Sequence, residues 1–306
     1  MRELVGCIHE GTVDAFRQHC KDLNIPGMEF GHRPTESFHR RIIDTLGHAQ
    51  RLKDAVIQWN GGTDRPTTDK PYVSGTWSYA VTTVPSRLDD LSQTLSSLAD
   101  AGFPSPVVSM DGHIAYTGYV SHQPIGTFKH WHRTLLDLYS RNPWSEYYAI
   151  FQDDMIAVRN LRQYIELSGI PEKCYLNLFT FMENESIVLN QTGWVEAHRS
   201  QAGHQMGRGA VALVFPHDAV ETLLSSRHFI TRRRDAIRGN RSLDGAVVEA
   251  MNEAGFTEYV HAPSLVQHTG EVSSMGNPWS TNIGDKRYAF ARTFPNKDFD
   301  ALTLLR

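Results

Sequence analysis

The chain has 306 residues, with 30 Lys and Arg against 34 Asp and Glu, three cysteines and 40% hydrophobic residues. That is enough apolar material for one large or two small cores without staples, and it excludes whole-chain disorder. A net charge of −4 gives no global basic field, so any contact with nucleic acid has to come from a local patch.

The first seventy residues differ from the rest. Ile42, Leu46, Leu52 and Val56 carry helix-like spacing among many His and Arg, and 60–71 (NGGTDRPTTDKP) is a run of turn formers without apolar period. The reading is a mostly helical N-terminal extension plus linker over 1–70, followed by one larger domain over 71–306. MRELVGCIHEGTVDAF at the start lacks the apolar core of a signal peptide, and no run approaches the ~20 apolar residues that cross a bilayer. Cys7, Cys20 and Cys174 are odd in number and far apart, without a C-x-x-C pair, which predicts reduced thiols and a cytoplasmic location.

After the linker, strands and helices alternate. A strand is predicted at 77–84, turned by Pro85-Ser86-Arg87 into a helix whose Leu88, Leu91, Leu95 and Leu98 share one face and which stops near Gly102 and Pro104. A second strand at 106–110 closes on Asp111-Gly112. A helix around Trp131, Leu135 and Leu138 stops before Pro143, and a third strand at 147–151 ends at Gln152-Asp153-Asp154. This order predicts a parallel α/β sheet with right-handed crossovers, in which ligands gather outside the carboxyl ends of the strands. Three such ends are polar: Thr82-Thr83 with Arg87, Asp111, and Asp153-Asp154.

Several chemistries lack their motif. There is no G-x-G-x-x-G after the first strand, no P-loop, no G-x-S-x-G elbow and no H-E-x-x-H. What remains is the carboxylate pair in YYAIFQDDM (147–155). It reads either as a solvated strand-end turn or as hard oxygen ligands for Mg²⁺ or Mn²⁺, ions that keep waters or substrate phosphates as their other ligands.

Six segments in order strengthen the second reading: YAVTTVPSR (79–87), VVSMDG (107–112), YYAIFQDDM (147–155), GRGAVALVFP (207–216), SLDGAVVEAM (242–251) and PSLVQHTGEVSSMG (263–276). Together they resemble the GT-A fold glycosyltransferases with a DXD-type metal motif. Gln152-Asp153-Asp154 is similar to the Glu-Asp-Asp version in N-acetylglucosaminyltransferases that branch N-glycans. The resemblance covers about 77–279 and implies an α/β, Rossmann-like fold, with a mostly parallel central sheet flanked by helices. It implies a nucleotide-sugar donor, UDP-sugar preferred, a Mn²⁺ or Mg²⁺ cofactor, and hexosyl or N-acetylhexosaminyl transfer. Carried over by position, Thr82, Thr83, Val84 and Arg87 line the nucleotide, Asp111 sits near base or ribose, and Asp153 faces ribose or sugar. Asp154 and His268 hold the metal, and Asp244 is the catalytic base. Gln152, where an acid is common, removes one negative charge and leaves open a degenerate domain that binds a nucleotide sugar without turning it over. A nucleotidyltransferase with the same sheet and metal logic is disfavoured by the absence of a Gly-rich, Lys-containing loop after the first strand.

Residue types leave some roles open. Ser242 and Asp244 also suit a helix start over 243–251, and His268 is one of 15 histidines. Gly207 and Gly209 either bring backbone close to a donor sugar or form a bulge. Six arginines fall within 227–241, among them Arg232, Arg233 and Arg234. They read as a solvated face or as a positive lip for a phosphate-bearing acceptor. The expected cytoplasmic location removes secretory glycans. The acceptor is then a glycan or lipid-linked precursor, or a hydroxymethylated pyrimidine flipped from DNA.

Overall fold

The computed structural model describes residues 73–112, 120–122, 124–181, 183–201, 203, 205, 209–226, 243–270 and 290–305. The N-terminal extension expected over 1–70, Gly207, and the arginine run with Arg232, Arg233 and Arg234 lie outside them.

The first apolar, β-branched run forms β1 (Val73–Thr83), which leads through a 3₁₀ turn (Pro85–Arg87) into α1 (Leu88–Asp100). Next come β2 (Val107–Asp111), β3 (Val120–His122), α2 (Thr127–Arg141), β4 (Ser145–Gln152) and β5 (Met155–Ala157). Then follow α3 (Leu161–Leu167), β6 (Cys174–Asn177), α4 (Glu183–Val188), β7 (Gly193–Glu196), β8 (Ala212–Pro216) and α5 (His217–Ser225). The described chain closes with α6 (Leu243–Glu253), β9 (Thr257–Ala262), β10 (Val266–His268) and a 3₁₀ turn (Ala301–Leu305).

Eight strands form one sheet in the order β3-β2-β1-β4-β8-β6-β9-β7. Four of its seven pairings are parallel, including both neighbours of β1, so the sheet is mostly parallel. The simple parallel alternation expected from the sequence stops at β4. There β8 enters antiparallel between β4 and β6, and β7 closes the far edge antiparallel to β9.

Helices flank both faces, as the period of two along the strands requires. Val81 and Phe151 point to one side, where Leu91 and Leu98 of α1 and Leu161, Tyr164 and Ile165 of α3 cover them. Ala80 and Ile150 point to the other, against Trp131 and Leu135 of α2, Leu223 of α5 and Val247 and Met251 of α6. Cys174 is a free thiol buried in β6, and burial pushes it up to about 12, which leaves it unreactive at neutral pH. Among the described residues no helix is long and apolar enough to cross a membrane.

Two consequences position a site. Strands β2, β1 and β4 run parallel and side by side, so their carboxyl ends share one edge. β5 and β10 form a separate antiparallel pair in which His268 lies opposite Met155, bringing the C-terminal histidine next to the residue after Asp154.

Candidate functional site

Asp153 and Asp154 follow β4 directly and are only 4% and 2% exposed. The Thr94 hydroxyl of α1 pins their turn: it lies 2.7 Å from the Asp153 carbonyl oxygen and accepts the Met155 N–H at 3.1 Å. The Thr269 N–H donates to the Asp154 carbonyl at 2.7 Å, tying the segment after β10 to the same turn.

The carboxylates have different partners. Asp153 uses both oxygens, accepting Thr83 Oγ1 at 2.6 Å and Arg87 Nη1 at 3.0 Å. Asp154 Oδ2 accepts Arg87 Nη1 and lies 3.1 Å from His268 Nε2, whereas Asp154 Oδ1 is buried with no hydrogen-bond partner. His268 Nδ1 is likewise buried and unpartnered. Burial pushes the Asp153 carboxyl up, and the neighbouring Asp154 charge adds to the rise against the pull of Thr83 and Arg87. Burial opposes the charge of Asp154 as well, but the His268 and Arg87 contacts outweigh it and hold this carboxyl below its ordinary range. Burial also disfavours the Arg87 cation, which the two carboxylates nonetheless hold firmly charged.

Local sequence explains the placement of Arg87. Val84 is extended, Pro85 starts the 3₁₀ turn, and the Arg87 N–H returns to the Val84 carbonyl at 3.1 Å, aiming the guanidinium back over the strand ends. Thr82 donates from Oγ1 to the Phe151 carbonyl at 3.2 Å, bracing β1 against β4. Gln152 donates from Nε2 to the Ala210 carbonyl at 3.0 Å, a bond a carboxylate in its place could not donate.

Asp244 opens α6, and its Oδ2 accepts the Gly209 N–H at 2.9 Å, reaching from the helix to the segment before β8. Gly209 has φ +72°, and a Cβ there would come within 2.7 Å of Phe179 Cδ1. Phe179 stacks on Phe181, with centroids 5.4 Å apart, and its ring lies 6.4 Å from that of His268. One aromatic residue thus separates the Asp244 pair from the Asp154 cluster. Gly209→Ala is expected to cost about 1–3 kcal/mol of stability through left-handed backbone strain and the ring clash. Chemical denaturation reads this, and an unchanged midpoint would mean that the backbone is not held in that conformation.

The structure therefore brings Thr83, Arg87, Asp153, Asp154 and His268 into one cluster, with Gly209 and Asp244 beyond Phe179. Asp111 ends β2 on the same sheet edge, and its oxygens accept the N–H groups of Ile125 at 2.7 Å and Gly126 at 2.8 Å, at the start of α2.

Four residues with a part in the site were not legible as such. Thr94 sits on the buried face of α1, Phe179 between the two groups, and Gly270 where a Cβ would lie 2.7 Å from Asp154 Oδ2 and 2.9 Å from His268 Cε1. The fourth is Glu258 of β9, buried, accepting Tyr175 Oη and Asn177 Nδ2, each at 2.9 Å. Burial pushes its carboxyl up to about 7, Asn177 and Tyr175 pull it back, and nearby Asp244 raises it further.

The fold prefers the protonated form of Glu258. Its contribution to stability is complete below the ordinary value near 4.5 and is lost as pH rises through about 7. Wild type is expected to lose about 1.4 kcal/mol per pH unit from this group across that window, a slope absent in E258Q. Urea unfolding at several pH values measures the difference, and parallel slopes would contradict it.

Whether the cluster can take a divalent cation depends on its donors. Among the described residues no group of three or more His, Cys, Asp and Glu is disposed to hold a metal. Two buried atoms of the cluster nonetheless lack a hydrogen-bond partner, Asp154 Oδ1 and His268 Nδ1, while His268 Nε2 faces Asp154 Oδ2 at 3.1 Å. An oxygen–nitrogen pair suits Mn²⁺ or Mg²⁺ when substrate phosphates and waters complete the shell.

No protein-family model matches the chain, and no curated protein matches it. Among solved structures it is similar to a protein assigned as a glucose-1-phosphate thymidylyltransferase from Bacillus anthracis, in complex with sucrose: 7% identity over 63% of this chain and 89% of that one, TM-score 0.39. It is also similar to A197 from STIV, at 11% identity over 62% and 85%, TM-score 0.34. A third likeness is to the bifunctional glycosyltransferase WbbM in its apo form, at 8% identity over 79% and 51%, TM-score 0.35. At these scores the functional reading rests on the strand-end residues themselves.

Proposed function

We propose that this chain is a metal-dependent, inverting glycosyltransferase that moves a sugar from a nucleotide-sugar donor, UDP-sugar preferred, to an acceptor hydroxyl. The observation that carries the reading is Asp154: a nearly inaccessible carboxylate at a strand's carboxyl end, with one oxygen beside His268 and the other unpartnered. A buried charge left half unsatisfied costs stability unless something binds it.

Asp154 and His268 would hold the Mn²⁺ or Mg²⁺. A cation there supplies neutralising charge for the departing diphosphate. Thr82, Thr83, Val84 and Asp153 form the wall of the donor site at the strand ends. An acceptor hydroxyl is too weak an acid to ionise at neutral pH, so Asp244 takes its proton as the oxygen bonds to the anomeric carbon. The electron pair of the breaking carbon–oxygen bond leaves with the diphosphate, and attack from the opposite face inverts the anomeric centre. Gly209 holds the Asp244 carboxylate in place through its N–H.

The test is a panel of nucleotide sugars incubated with and without Mn²⁺, against glycan, lipid-linked and hydroxymethylcytosine-DNA acceptors. Metal-dependent release of nucleoside diphosphate with one donor supports the reading, and the productive acceptor identifies its class. Tight donor binding without turnover on any acceptor favours a binding module. Neither binding nor turnover of any donor removes the reading.

A further inference from the structure

Two neighbouring buried carboxylates repel unless a cation lies between them. Here that cation belongs to the chain. Arg87 Nη1 donates to Asp153 Oδ1 at 3.0 Å and also to Asp154 Oδ2, the oxygen that lies 3.1 Å from His268 Nε2. Asp154 Oδ2 thus faces two nitrogens while Oδ1 faces none. Arg87 is the more accessible partner, at the solvent side of the pair: no residue of its 3₁₀ turn is buried, and its own side chain is 15% exposed, against 2% for that of Asp154.

We propose that Arg87 is a mobile counter-ion that competes with a divalent cation for the Asp154 carboxylate. It neutralises the pair while no metal is bound, and is released to grip the diphosphate of the donor when one binds. The inference rests on the reading of Asp154 as a metal ligand. A guanidinium stays charged at any working pH, and two cations on one carboxylate repel, so occupancy by either weakens the other. Once off Asp154, the planar fork of Arg87 suits phosphate oxygens in two-point contact, and the rim of the site is where a diphosphate would lie.

The competition has a sign that a merely structural arginine would not produce. Calorimetric titration of MnCl₂ into the full chain is expected to give R87Q an affinity about tenfold above wild type, the effect of removing one unit charge ~6 Å from a divalent ion in water-like screening. R87K, which keeps the charge, is expected to stay near wild type. With Mn²⁺ saturating, UDP should bind R87Q about tenfold more weakly, as expected for loss of a charged phosphate contact. Equal or weaker Mn²⁺ binding by R87Q overturns the proposal and makes Arg87 a scaffold for the carboxylates. A wild-type crystal structure grown with MnCl₂ needs no variant: Arg87 should have left Asp154 Oδ2, and a guanidinium still seated there beside a bound ion overturns the proposal alone. Wild type that binds no Mn²⁺ in any of these trials overturns the metal reading with it.

Discussion

Asp154→Asn is expected to lower sugar transfer by about 10²–10³-fold or more, the scale seen when one preorganised group that stabilises transition-state charge is removed. The substitution keeps the shape of the side chain and removes its charge. Asp154 is the residue on which Arg87 and His268 converge, and its free oxygen is the donor best placed for a cation. A neutral amide there leaves the Arg87 guanidinium balanced only by Asp153 and takes away the anionic metal ligand. Stability is expected to fall too, by about 3–5 kcal/mol if the pair behaves like other broken buried ion pairs. Assays therefore belong at a temperature where circular dichroism shows the variant folded. Transfer within a few-fold of wild type in folded protein would mean that Asp154 supports the turn and not the chemistry.

Asp244→Asn is expected to reduce turnover by about 10²–10⁴-fold, the usual contribution of a positioned general base, while donor affinity stays near wild type. The amide oxygen of Asn can still accept the Gly209 N–H, so the segment before β8 keeps its anchor and only proton acceptance is lost. This separates two roles that the sequence leaves open, since an anchoring residue tolerates Asn and a base does not. Rate and donor affinity measured side by side decide between them: a lost rate with retained UDP binding assigns the base, and a retained rate assigns the anchor.

The half of the fold that builds the carboxylate turn is the more legible. Leu91 and Leu98 mark the buried face of α1 through their spacing, and the apolar runs at β1, β2 and β4 stop where polar residues begin, which identifies the strand ends. Direction was not legible further on. Ala212–Pro216 is an apolar run like the others, and nothing in its composition says that it pairs antiparallel with β4. Short strands escape for a related reason, because three residues such as Val266–His268 carry no period.

In the site, charge and position in the chain pointed to Asp153, Asp154 and Arg87, while the link to His268 depends on the register of β10 against β5, which no local pattern encodes. Glu258 shows the limit of alternation. Its charge marks it as a surface residue, yet in TEYVHA it shares a face with Val260, and both are buried.

On the function proposed above, Asp154 and His268 form a metal-assisted donor site. Calorimetric titration of UDP into wild-type protein with and without Mn²⁺, beside Asp154→Asn, tests it most directly. Binding at least about tenfold tighter with Mn²⁺, or about 1.4 kcal/mol, and loss of that gain in the variant is the predicted result. Equal UDP affinity with and without Mn²⁺ in the wild type would contradict it.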